Sequence, residues 1–299
     1  MESLMEIFAN PYYIQVLTML GIYLVAALGL NLITGVTGQF SFGHAAFMSI
    51  GAYSSALLTL NLQAPFWASL LAGGVTAAAC GAILAFPSMR LTGDYLGITT
   101  LGFGEIVRVV FINMEITGGA RGLAGIPRHT DFLTVIVIVI LSVWGLYRIN
   151  NSRLGRALLA IREDEIAAES MGINALFYKV ESFAIGTFLA GISGGLYAHL
   201  LQYINPSDFG FAKSFELLNF VVIGGLGSIP GAILGTAVLG LAPEFLRFVK
   251  EYRMLIYGAL MVLMMIFRPH GILGGVDLAR AVRKIRSRKR PPAAASGGA

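Results

Sequence analysis

At 299 residues, with 56% hydrophobic residues, 12% charged residues and a mean hydropathy of +0.76, the chain is too apolar for a soluble domain, which carries about one quarter charged residues. The net charge of +5 does not mark a nucleic-acid binder, because Val276 to Ala299 holds seven Lys and Arg against Asp277 and the rest of the chain is slightly acidic. A lone cysteine, Cys80, excludes an internal disulfide and a cysteine metal cluster.

The acidic start, Met1-Glu-Ser-Leu-Met-Glu, precedes an apolar run from about Tyr12 to Thr34. That run is longer than a secretory apolar region and has no small-residue cleavage site, so it reads as a retained span. Further runs near 40–60, 66–86, 97–115, 132–149, 181–202, 229–247 and 252–268 approach the roughly 20 residues a helix needs to cross a bilayer. A shorter one, near 215–227, ends in Gly224-Gly-Leu-Gly-Ser-Ile-Pro-Gly231. Pro230 removes a donor and the glycines weaken any helix there, so 215–247 is predicted to be a hairpin of two membrane segments with a Gly/Pro-rich break. The predicted fold is all-α: a polytopic membrane helix bundle of about nine membrane segments including that broken hairpin. Residues 1–275 form the membrane domain and 276–299 a basic, disordered tail.

Orientation follows from Arg and Lys near the span ends. Arg90, Arg148, Arg153, Arg156, Arg162, Lys179 and the basic tail place 87–96, 150–180 and the C-terminus in the cytoplasm. The N-terminus, 61–65 and 116–131 then lie outside. Arg247, Lys250 and Arg253 fall outside against the rule, partly offset by Glu244 and Glu251.

One long internal segment is written for water, from Asn150 to Asn174. Helix-favouring residues run from Arg153 to Gly172, where a residue with positive φ ends helices most easily. Leu154, Leu158, Ile161, Ala168 and Met171 fall near helical spacing among Arg162, Glu163, Asp164, Glu165 and Glu169. A solvated connector is the plain reading. Its length and mixed character point instead to a docking surface, with Leu158, Ile161 and Met171 available for a partner groove and Ala168 on the contact face.

Within the spans, Gln39, Ser41 and His44 gather in a glycine-rich break. Polar groups there are costly unless satisfied, which makes them pathway candidates. The plain reading of His44 is a buried histidine bonded to a backbone carbonyl and packing two segments. Glu105 and Arg108, at i and i+3, can pair on one helical face, either fixing packing or exchanging partners as a gate. Asp94 is placed to accept a helix-start N–H. Gly35 to Gly43 and Gly224 to Gly231 interrupt apolar runs alike, as internal repeats lining a pathway do. No Gly-x-x-x-x-Gly-Lys-Ser/Thr loop occurs, so any ATPase is another chain. His44, His129, His199 and His270 are scattered, and neither a metal site, a cofactor site nor a nucleophile–base pair is visible.

These stretches resemble the LivM-type permease subunits of bacterial ATP-binding-cassette importers for branched-chain amino acids. The resemblance runs from about residue 20 to 275. It is carried by Gly29 to Phe47, Gly93 to Arg108, Thr117 to Gly122 and Gly224 to Gly235. It implies that 153–172 is the coupling element seated in a groove of the ATPase subunit. Of the importer pattern Glu-Ala-Ala-x-x-x-Gly, Ala167, Ala168 and Gly172 match, Ile166 stands at the acidic position with Glu165 before it, and the later Leu-Pro element is missing. Arg156, Glu165, Ala167, Ala168 and Gly172 are the coupling residues so implied. Gln39, Ser41, His44, Glu105, Arg108, Gly224 and Gly227 are the pathway or gating candidates. The implied partners are a related second permease, two ATPases, a periplasmic solute-binding protein and the lipid of the inner membrane. A permease for urea or short-chain amides is the near alternative. A stand-alone secondary transporter lacks paired membrane acids for ion coupling, and a membrane enzyme lacks a catalytic constellation.

Overall fold

The computed structural model describes residues 11–89, 91, 93–245, 258 and 262. Among them, six helices are long and apolar enough to cross a membrane. The first, α1 (Pro11–Leu30), continues into a wide π turn at Asn31–Val36. It is followed by α2 (His44–Leu62), α3 (Phe66–Ser88), α4 (Asp94–Asn113) and α5 (Phe132–Asn150). Two short helices, α6 (Arg153–Glu163) and α7 (Glu165–Ser170), precede the long α8 (Ala175–Leu201). The shorter α9 (Phe211–Gly224) and α10 (Ile229–Phe245) form the expected hairpin around Gly225 to Ser228. This is an all-α, multi-pass membrane bundle. The ninth expected segment, near 252–268, and the basic tail lie outside the described residues.

The core is α8, whose apolar window is 72% buried, with α1 to α3 wrapped around it. Close approach is possible because the helices meet at glycines. A Cβ on Gly51 of α2 would lie 2.2 Å from the Gly191 Cα of α8, and one on Gly191 would lie 2.6 Å from the Gly73 carbonyl of α3. Large side chains then fill the layers on either side, with Phe47, Tyr53, Phe183 and Leu196 fully buried. α4 and α5 are peripheral, each 22% buried. On α5, Leu133, Ile140, Leu141, Trp144 and Tyr147 are all exposed, an apolar stripe suited to lipid, with the Arg148 guanidinium 5.7 Å from the Trp144 ring. Trp67 is likewise exposed in the first turn of α3.

Loops sort to two ends. At one end, β1 (Leu123–Ala124) pairs antiparallel with β2 (Tyr203–Ile204), tying the α4–α5 loop to the end of α8. His199 reaches the Pro127 carbonyl there at 3.0 Å, and the His129, His199 and Phe66 rings cluster. At the other end lie the 37–40 turn, the α3–α4 connection and α6–α7. The loops that charge groups on one side thus share one end of the bundle.

Two boundaries differ from the sequence reading. α8 begins at Ala175, six residues before the apolar run, because Lys179 is neutralised by Glu165 at 2.6 Å and so can enter the bundle. The 153–172 segment is two helices rather than one. Asp164 leaves the helical region (φ −158°, ψ 108°), and its carboxylate accepts the Ala167 N–H at 3.0 Å, starting α7 afresh.

Candidate functional site

The two glycine-rich interruptions come together at one end of the bundle. Gly35, in the π turn of α1, touches Gly227 in the α9–α10 break: a Cβ on Gly35 would lie 2.2 Å from the Gly227 nitrogen. Gly227 (φ +81°) and Gly225 (φ +116°) take conformations open mainly to glycine. The Asn31 side chain accepts the Gly227 N–H at 2.8 Å. Gly224 packs against Gly231, closing the hairpin backbone to backbone. Gly224 and Gly227 therefore hold the break together rather than facing open space.

The irregular stretch Thr37 to Gly43 follows the π turn, and three helices pin it. Thr37 bonds Ser182 of α8 at 3.1 Å, the Phe42 N–H donates to Thr100 of α4 at 3.0 Å, and the Ala45 N–H donates to Ser214 of α9 at 3.0 Å. His44 Nε2 lies 3.1 Å from the Ala26 carbonyl, the packing arrangement expected of it. Its Nδ1, the Ser41 Oγ and both polar atoms of Gln39 are buried without a hydrogen-bond partner among the described residues. Each such atom costs about 1–3 kcal/mol when left unsatisfied, and four of them fall in this one short stretch. Gln39 also lines a cavity of about 260 Å³ with Thr37, Leu96, Arg162, Glu165 and Lys179.

Glu105 and Arg108 pair at 2.8 Å as spaced, and both remain partly exposed on α4. A second pair was not legible in the apolar pattern. Lys213 and Glu216 of α9 meet at 2.8 Å, with Lys213 also 3.0 Å from the Tyr23 hydroxyl and over its ring. The i, i+3 spacing is the signal for it, but Lys213 lies just ahead of the short apolar run that hydropathy starts at 215. Asn31 is hidden from such a reading because it sits inside an unbroken apolar run. α4 starts at Asp94 behind Gly93, whose φ is +60°.

The α6–α7 segment presents a different face from the one expected. Leu158 and Ile161 are buried, and Ala168 packs on Ile161 and Ala175 inside the protein. Ala168 therefore shapes the seat of α7 and is not on an outward contact face. What faces out is Ile166 at 79% and Met171 at 83% exposure, with Leu159 and Ala167. Gly172 has φ +83°, and it closes α7 through Gly172 N–H to Glu169 and Ile173 N–H to Ala168 bonds of 2.9 and 3.1 Å. Arg156 is exposed and bonds the Asn151 carbonyl at 3.2 Å, helping cap the end of α5. Glu165 holds Lys179. Among the described residues no group of three His, Cys, Asp or Glu could hold a metal.

Residues 12–265 match the family model described as branched-chain amino acid transport system / permease component. The chain is 39% identical over 309 residues to the high-affinity branched-chain amino acid transport system permease protein LivM of Salmonella typhimurium, covering 92% of this chain and 72% of that one. It is 39% identical over 295 residues to the Escherichia coli LivM protein of the same description, covering 87% and 69%. Similarity extends at 27% over 293 residues to the Escherichia coli permease protein LivH, covering 86% and 93%. No solved structure matches the chain. The chain belongs to the family of branched-chain amino acid transport system permease components.

Proposed function

We propose that this family member is the permease subunit of an inner-membrane ATP-binding-cassette importer for branched-chain amino acids. It forms half of the translocation pathway beside a related second permease, and separate ATPase subunits drive it. A periplasmic solute-binding protein delivers the substrate and carries most of the selectivity. The observation that carries this reading is the α6–α7 platform. It is seated on the bundle through Leu158, Ile161 and Ala168, yet it exposes Ile166 and Met171 at the cytoplasmic end. Bare apolar side chains on an otherwise polar segment fit a partner groove. The chain itself has no phosphate-binding loop.

Gln39, Ser41 and His44 are the pathway candidates, since their unpartnered atoms suit a passing polar group or water. Glu105–Arg108 is the gating candidate, and Gly224 and Gly227 set the break beside the path. The near alternative, urea or short amides, would use the same platform; the names of the similar permeases favour branched-chain amino acids. Ion-coupled secondary transport is disfavoured because Glu105 and Glu216 are each committed to a cation.

The test is the chain purified with its second permease, ATPases and secreted binding protein, reconstituted in vesicles. Leucine uptake is expected to require both ATP and the binding protein. Uptake of urea alone, or uptake without ATP, overturns the reading. A variant carrying Ile166→Asp and Met171→Asp is expected to fold normally, because both side chains point to solvent, and to lose co-purifying ATPase. Losing two buried apolar contacts of about 1.5–3 kcal/mol each weakens docking at least about a hundredfold. Undiminished ATPase recovery would remove α7 from the docking surface.

A further inference from the structure

At the end of α6 one side chain reaches both interruptions in the membrane bundle. The Arg162 stem lies along Gly38, where a Cβ would meet its Cγ at 3.1 Å. Its Nη1 donates to the Gly35 carbonyl in the π turn of α1. That same Nη1 would lie 3.1 Å from a Cβ on Gly227, in the α9–α10 break. Gly227 is in turn bonded to Asn31 at 2.8 Å, so α6, the end of α1 and the hairpin break meet around one guanidinium.

The residue types fit this arrangement. The last carbonyls of a helix have no partner within it, and a cation there meets the negative end of the helix dipole. Arginine offers several donors in a rigid fork, so one head group can hold a carbonyl and still pack on a neighbouring backbone. Glycines at 38 and 227, both with positive φ, leave the room it occupies. The three ion pairs among the described residues do not include Arg162, and α6 has its own apolar anchors in Leu158 and Ile161. Its contacts thus join elements without being what seats the helix.

We propose that Arg162 is the positioning residue that carries movement of the α6–α7 platform into both interrupted membrane segments. The inference rests on reading that platform as the ATPase docking element. A partner shifts a conformational equilibrium only through contacts that differ between the two states. Arg162 supplies such a contact: displacing α6 breaks its bond to the Gly35 carbonyl and withdraws the guanidinium packed beside Gly227. The π turn and the hairpin break then change as one unit.

The test uses the full complex in vesicles, carrying Arg162→Gln and, separately, Arg162→Lys. Assembly with the ATPases and ATP hydrolysis stimulated by loaded binding protein are measured beside leucine uptake. The Gln variant is expected to assemble and hydrolyse ATP as before, while leucine moved per ATP falls about tenfold, the loss of one charge-assisted bond. The Lys variant, which keeps a cationic donor, recovers part of that ratio. In a third arm, Arg162→Cys in a Cys80→Ala background is expected to regain coupling when treated with an ethylammonium thiosulfonate and not with its neutral analogue. An unchanged ratio in the Gln variant overturns the proposal. So does loss of ATPase binding, which would make Arg162 part of the docking surface. Failure of the docking reading itself shows separately, as ATPase retained by the Ile166→Asp, Met171→Asp variant.

Discussion

Valine in place of Gly172 is expected to leave the complex assembled but to abolish both the stimulation of ATP hydrolysis by loaded binding protein and uptake. Gly172 sits at φ +83° and closes α7 with paired bonds to Glu169 and Ala168. No atom lies within 4 Å of where a Cβ would be placed, so crowding is not the issue and the backbone conformation is. A β-branched residue resists that conformation by about 2 kcal/mol, enough to change the favoured geometry about thirtyfold. Two residues on, the Asn174 side chain accepts the Phe177 N–H and starts α8, so a redirected chain tilts α7 against the core helix. Gly172→Asn separates the causes: asparagine tolerates positive φ and is expected to keep most activity. The measurement is ATPase activity with and without loaded binding protein, beside uptake in vesicles. Full stimulation and uptake in the valine variant would reduce the α6–α7 segment to a connector. Ala168→Asp buries a charge beside Ile161 and Ala175, so any loss it causes reports on the seat of α7 rather than on a partner.

Gly191→Val should prevent folding altogether. Its added carbons would meet the Gly73 carbonyl and the Ala77 Cβ at 2.6 Å and the Gly74 Cα at 3.0 Å, while Gly51 closes the other side. Most of these are backbone atoms, which cannot turn aside as side chains do, so α2, α3 and α8 would have to separate. Overpacking that moves three core helices exceeds the usual 1–3 kcal/mol and reaches the range above about 4 kcal/mol that unfolds a marginal protein. Gly145→Val on α5 is the matched control, since nothing lies within 4 Å of that position. Size-exclusion profiles and thermal unfolding in detergent distinguish the two. A monodisperse Gly191→Val variant melting with the parent would show that the helices do not meet as described.

Much of this architecture is legible in the sequence because lipid demands it. Six spans and the broken hairpin follow from apolar length and glycine clusters, and the loops grouped by Arg and Lys share one end of the bundle. The faces of α6 and α7 do not follow. Leu158, Ile161, Ile166 and Met171 are equally apolar, and periodicity cannot tell the side that meets the bundle from the side that meets a partner. Hydropathy starts α8 late because Lys179 reads as solvated until Glu165, 14 residues earlier, is known to reach it. Asn31 is hidden for a related reason: its partner, Gly227, is 196 residues away. The likeness of the two glycine interruptions was visible, and their contact was not, because like patterns do not encode proximity.

Trp67 and Trp144 are the only two tryptophans of the chain, and both are exposed, one in the first turn of α3 and the other late in α5. Indole rings settle at the headgroup level, where an apolar body and an N–H donor are both satisfied. α3 starts at the end that carries the β-strand pair, and α5 finishes at the end that carries α6. The two rings therefore lie toward opposite ends of the bundle, placed to anchor it at the two headgroup levels. Trp144, with Tyr147 and Arg148 beside it, lies a few residues before the α6–α7 platform. A change in bilayer thickness is thus expected to change the height at which that platform is presented.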